Sequence, residues 1–191
     1  MSRWRRIRFL WMLFLIGLAL LSIAIMADIA SATTLARLKF EDLASQASAV
    51  GRMRCVRTES HWKNGEIWTR TEFIVVEQNK GSLPQIVEVE MPGGIIGHLH
   101  ARVEEVPAFT PGEDAYLFLW SAPNGTYRIL GWSQGAFRIR KDSTAGVELV
   151  TQDSADAPLF NPITRQFRHG GVRNLPVATF QLKLKRAFEH Q

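Results

Sequence analysis

Between residues 49 and 140, apolar and polar side chains alternate with a period close to two, the spacing of strands with one buried face. The stretch before it follows a different period. Leu35, Leu38, Leu43 and Ala47 can share one face of a short helix over residues 35–48, with Glu41 and Asp42 in its middle. A first strand is expected over 49–59. Asn64-Gly65 follows, a hairpin signal because both central positions of such a turn need positive φ. A second strand spans 66–77, with Ile67, Thr69, Thr71, Phe73 and Val75 inward and Trp68 outward. Gly81-Ser82 turns the chain into a third strand, 84–91, where Val87, Val89 and Met91 alternate with Glu88 and Glu90. Pro92-Gly93-Gly94 breaks it. Residues 98–104 alternate again, with His98, His100, Arg102 and Glu104 on one face. Pro107 and Pro111-Gly112 mark a loop. Residues 115–120 are apolar on both faces, as in a central strand. Asn124-Gly125 predicts a second hairpin, and 127–131, 136–140 and, more weakly, 147–151 complete the sheet. Residues 152–176 read as irregular. The last segment, 177–189, fits either period: Val177, Phe180, Leu184 and Phe188 suit a helix, and Phe180, Leu182 and Leu184 suit a strand. Its length and Lys183, Lys185 and Arg186 near its end favour the helix.

The N-terminus carries another pattern. Arg3, Arg5, Arg6 and Arg8 precede an 18-residue apolar run, 9–26, and Ala30-Ser31-Ala32 offers a cleavage site before Thr33. A basic head, an apolar middle and a small-residue exit make a secretory signal peptide over 1–32. The same run also reaches the short end of what crosses a bilayer, so an uncleaved anchor in the inner membrane is the competing reading. Arginines on its N-terminal side would then hold that end in the cytoplasm. Either way the domain, 33–191, is expected outside the cytoplasm, in the periplasm or beyond.

Charge changes the picture once the leader is set apart. The chain has 23 Lys and Arg against 18 Asp and Glu, a net +5; the leader holds four Arg and one Asp, leaving 19 against 17, or +2. The remaining 159 residues are the size of one domain. Nucleic-acid binding needs a concentrated basic face, so that class loses its support and no nucleic-acid partner is expected. Cys55 is the single cysteine, so no internal disulfide is available. Gly51, Met53 and Cys55 fall on the inward face of their strand, which predicts a buried, inert thiol.

The order of the segments resembles a group of bacterial exported proteins of unknown function. Leu38 to Ala47, Gly93-Gly94 and Gly97, Val106, Pro107, Phe109, Gly112 and Glu113, Leu117-Phe118-Leu119, and Gly131, Gln134, Gly135 and Phe137 carry the likeness over about 35–140. More distantly the pattern resembles netrin-like modules, the group that includes tissue inhibitors of metalloproteinases. That resemblance implies a mainly β fold: a five- to six-stranded antiparallel OB-like barrel with a short N-terminal helix and a C-terminal helix. The inhibitors chelate zinc through an N-terminal cysteine. The mature end expected here is Thr33-Thr34, so that mechanism does not carry over.

Candidate chemistry is sparse. Gly131-Trp132-Ser133-Gln134-Gly135 matches the nucleophile-elbow spacing, which needs a strand before Ser133 and a helix after it. The residues after it alternate as a strand, so a turn between strands is the expected structure; His169 and Asp153, the available partners, lie in the irregular segment. His98 and His100 form an H-x-H pair that requires a third ligand, with Glu88, Glu90 or Glu104 as options. Arg102 on the same face opposes a cation. Glu104-Glu105 and Glu88/Glu90 are possible acid–base pairs, explained as readily by exposed strand positions. Asn124-Gly125-Thr126 is also a glycosylation sequon, which matters only in a eukaryotic secretory pathway. Trp62, Trp68 and Trp132 are candidate binding aromatics. No cofactor is implied. These residues favour an exported, non-enzymatic binding module whose partner is a protein or another envelope component. An exported hydrolase using Ser133 or a His98/His100 metal is one alternative. A membrane-anchored structural envelope protein, touching the bilayer only through residues 9–26, is another.

Overall fold

The structure is a computed structural model, described here for residues 35–189 except 124, 144 and 145, together with Trp4 and Trp11. The chain divides into two units, Met1–Thr34 and Leu35–Gln191, and the fold below is that of the second. Apart from Trp4 and Trp11 the leader, its Ala32/Thr33 junction, Asn124 of the second expected hairpin turn and His190 lie outside the described residues. No helix among the described residues is long and apolar enough to cross a membrane.

The domain is mainly β. The first helix, α1 (Phe40–Gln46), is shorter than its pattern predicts. Residues 35–38 are extended instead: the Arg37 N–H donates to the Phe160 carbonyl, and the Phe160 N–H donates to that of Leu35. The long strands β1 (Ala49–Lys63) and β2 (Glu66–Lys80) form the expected hairpin, with Asn64 at φ 52° and Gly65 at φ 83°. Next come β3 (Ile86–Pro92), β4 (Gly94–Ile96), β5 (Leu99–Ala101), β6 (Asp114–Ser121), β7 (Tyr127–Ile129), β8 (Ala136–Lys141) and β9 (Glu148–Gln152). β10 (Leu159–Asn161), β11 (Gln166–Arg168), β12 (Leu175–Pro176) and the helix α2 (Val177–Glu189) end the chain.

Eight strands share one sheet in the order β1-β2-β3-β7-β6-β8-β9-β12. β1 also pairs with β6, through Ala49–Arg54 against Asp114–Leu119, so the run of neighbours from β1 through β6 returns to β1. The β3–β7 contact is parallel, unlike the wholly antiparallel arrangement expected, and consists of a single bridge between Val89 and Tyr127.

β6 explains why its sequence is apolar on both faces. Ala115, Leu117 and Leu119 join Met53, Cys55, Phe73, Val87, Val89 and Ile129 in one buried cluster. Tyr116 and Phe118 face the other way, into a second cluster with Leu43, Phe137, Phe180 and Leu184 beneath the two helices. Tilted and edge-on ring pairs fill this second layer: Tyr116–Phe180 at 4.9 Å, Phe137–Phe180 at 5.1 Å and Phe118–Phe137 at 5.1 Å between centroids.

Two expectations need correction. The single strand predicted over 98–104 is a small two-stranded hairpin, β4–β5, and His98 lies in its turn. Gly93 and Gly94, at φ 95° and 140°, redirect the chain there, ending the alternating run. The segment 152–176 is not irregular throughout: β10 pairs with β11, and β12 extends the main sheet along β9. Strands of two or three residues leave no detectable period in sequence.

Candidate functional site

The segment Pro92–Phe109 folds over one end of the β1-β2-β3-β7-β6 ring of pairings and encloses a cleft of about 610 Å³. Phe73, Val89, Met91, Phe109 and Ile129 line its apolar depth. One wall is a ladder of hydroxyls on β1 and β2. Thr58 and Thr71 oxygens are 3.4 Å apart and those of Ser60 and Thr69 are 3.0 Å apart. The Thr69 hydroxyl donates to the Gly93 carbonyl at 2.7 Å, and Thr58 donates to that of Phe109 at 3.2 Å. These groups therefore fasten the covering segment to the sheet, and their hydrogen-bonding capacity is largely spent on doing so. Gly94 is required at this seam: a Cβ would collide with the Ser60 and Thr69 hydroxyl oxygens.

Glu105 stands at the edge of this cleft, with Ser133 bonded to it outside the lining. The buried Ser133 hydroxyl donates to the Glu105 carboxylate at 2.6 Å, and its backbone N–H donates to the Glu105 carbonyl at 2.9 Å. Glu105 and Trp132 both occupy the left-handed region, at φ 62° and 56°. A non-glycine residue there is held by its surroundings, and the double contact with Ser133 supplies that hold. The turn is a 3₁₀ segment, Trp132–Gly135, followed by β8 rather than by a helix. Gln134 is a buried clamp in the same turn: its side chain accepts from the Leu38 N–H and donates to the Ala36 carbonyl. The other members of a serine-hydrolase arrangement are engaged elsewhere. Asp153 accepts from Arg138 at 2.8 Å, and His169 Nδ1 lies 2.9 Å from the Asp156 carbonyl.

His98 and His100 are exposed, and His100 lines the cleft beside Arg102. No group of three or more His, Cys, Asp or Glu that could hold a metal occurs among the described residues. Glu88 and Glu104 are exposed and lie near Arg70 and Arg102. Glu90 departs from the exposed position its alternation implies. It is only 3% exposed, covered by Lys63, which donates to it, by His61 and by Arg70. Burial pushes its carboxyl up, but the Lys63 hydrogen bond and the nearby Lys63 and Arg70 charges hold it below the usual range.

The three aromatic candidates do not share a surface. His61 pairs with Trp68 and Trp62 with Ile67, so the two tryptophans project from opposite faces of the hairpin. Trp132 packs against the first buried cluster. Trp68 instead meets residues that sequence reasoning missed. The Arg128 guanidinium on β7 lies 5.0 Å from the Trp68 ring centre and 5.9 Å from that of Trp120, and Lys63 Nζ lies 4.9 Å from the Trp68 ring. The only available signal was the outward register of Trp68. Trp120 follows the buried run 115–119 of its strand, and its exposure was hidden by that run.

Comparison with protein-family models and with curated proteins finds no match for this chain. The cleft and the tryptophan–arginine stack therefore carry the functional argument.

Proposed function

We propose that this domain is an exported, non-enzymatic binding module, and that its ligand enters the cleft under residues 92–109. The carrying observation is the cleft itself. A space of about 610 Å³ with an apolar floor and a few polar groups at its rim fits the size and chemistry of small-molecule sites. The rim residues His100, Arg102 and Glu105 would orient a polar end, while Phe73, Met91 and Phe109 take an apolar body. A binding role is favoured over hydrolysis because the Ser133 hydroxyl is engaged by a carboxylate and the turn is explained by its backbone contacts. An OB-type barrel is the finer fold reading. Its support is the return of the pairings to β1 and the parallel β3–β7 bridge. That reading keeps the likeness to netrin-like exported proteins in play. Export rests on the leader pattern alone, with cleavage between Ala32 and Thr33 or retention of residues 9–26 as an inner-membrane anchor for an envelope partner.

Ala101 and Ala108 line the cleft and leave space that an indole would fill. The full chain should bind an apolar fluorophore such as anilinonaphthalene sulfonate in its native state. Ala101→Trp or Ala108→Trp should abolish that binding, and Ser133→Ala should retain it. Equal binding by wild type and the filled variants would refute the site. The hydrolase reading keeps one specific motive, the left-handed Glu105 and Trp132 beside the 2.6 Å Ser133–Glu105 contact. Ester turnover lost in Ser133→Ala would establish it instead.

A further inference from the structure

Outside the cleft, the cations with well-formed contacts mostly meet carboxylates. Arg52 and Arg54 bind Asp114, Arg138 binds Glu113 and Asp153, and Lys63 binds Glu90. Arg128 differs. It is half-buried and stacked between Trp68 and Trp120, and it makes no ion pair or hydrogen bond among the described residues. Its Nε is fully shielded from solvent and has no partner. Stacking engages the faces of a guanidinium and leaves its in-plane N–H donors free. The shielded Nε is out of a ligand's reach, so the two terminal Nη groups are the donors left to meet an incoming acceptor.

We propose that Arg128, gripped between Trp68 and Trp120, is a receptor for a single oxyanion, a carboxylate or phosphate carried on a ring-shaped ligand. The planar fork matches the two oxygens of such a group. Trp120 is 41% exposed and offers surface for the ring that bears it. Its cross-strand pairing with Arg128 fixes the two side chains on one face. The surroundings select one anion rather than a polyanion. Glu66 accepts from the Trp68 indole, and Glu88 and Glu90 lie on the same face of β3, nearly balancing Lys63 and Arg70. A strand of many phosphates would meet these carboxylates. This site is separate from the cleft, and no residue is shared between them.

Titration of the full chain, followed by tryptophan fluorescence, tests the proposal with glucuronate, benzoate and inorganic phosphate as probes and sodium chloride as control. A saturable change with at least one oxyanion at constant ionic strength is expected. Arg128→Ala should weaken it about tenfold or more, a difference of about 1.4 kcal/mol per decade. Arg128→Lys keeps the charge without the fork and should recover only part of the affinity. A response to glucuronate or benzoate identifies a carboxylate ligand, and one to phosphate alone identifies a phosphorylated ligand. Circular dichroism checks that the variants are folded, and the lysine variant serves should the alanine variant fail to fold. A response equal to that of chloride, or one unchanged in both Arg128 variants, would overturn the assignment.

Discussion

At the residue scale, charge and burial set the chemistry of single side chains more than motifs do. Cys55 lies at 1% exposure with its sulfur 3.7 Å from the Thr58 hydroxyl, and burial pushes its thiol up. The thiolate is the reactive form. Thiol reagents should therefore label the native protein slowly and the unfolded protein fast, as a time course with a chromogenic disulfide would record. Rapid native labelling would return Cys55 to the functional candidates. Asp114 shows the opposite control. Its hydrogen bonds from Arg54 at 2.6 Å and Arg52 at 2.8 Å hold its carboxyl below the usual range. The folded state then binds its proton less readily than the unfolded chain. The stability this supplies is complete above the ordinary aspartate value of about 4 and is lost as pH falls through the lower folded value. Urea midpoints measured from pH 7 down to pH 2 should fall in that window. Asp114→Asn should be less stable at neutral pH and should flatten that part of the curve; an unchanged profile would deny the pairing its role.

At the element scale, the long strands were legible because their period persists, and the terminal helix by its length and the basic residues near its end. β1 and β2 run for 15 residues each around an Asn-Gly turn, and α2 repeats its apolar positions at Phe180, Leu184 and Ala187. What escaped detection depends on contacts between distant segments. The extension at 35–38 is held by Phe160 and Gln134, more than ninety residues away, which no local pattern encodes. The Gly93-Gly94 break was visible, but not that it begins a cover fastened by Ser60 and Thr69. The cleft was invisible for the same reason: its floor reads as ordinary core alternation, and only the folded cover makes it a cavity. Two substitutions probe these elements. Phe180→Ala removes a ring packed on Tyr116, Phe137 and Phe40 and should cost about 3–5 kcal/mol in urea unfolding. Gly94→Ala imposes φ 140° on a residue with a Cβ and drives that atom into the two hydroxyls. It should lower stability by about 1–3 kcal/mol and weaken fluorophore binding in the cleft, because the cover must lift to relieve the clash. Unaltered binding with the stability lost would separate the seam from the site.

At the scale of the whole molecule, β1 is the element on which the sheet depends. Its first half is paired on both edges at once: Val50 to Arg54 face β2 on one side and β6 on the other. The same residues divide the two buried clusters, with Met53 in one and Val50 in the other. Opening either edge of this stretch would expose both layers. Its amides should thus exchange with solvent only when the whole domain unfolds. The β4–β5 and β10–β11 hairpins are held by three pairs each, and their strand residues are exposed or half-buried except for Leu159, so they should open locally. Native-state hydrogen exchange read by NMR or mass spectrometry would rank them. Residues 51–54 should reach the free energy of global unfolding, and residues 94–101 should fall well below it. The cover over the cleft would then be the labile part of a rigid sheet, and its opening would widen access to the cleft beneath it. Equal protection of 94–101 and 51–54 would mean that the cover does not open on its own, and that a ligand must fit the cleft as it stands.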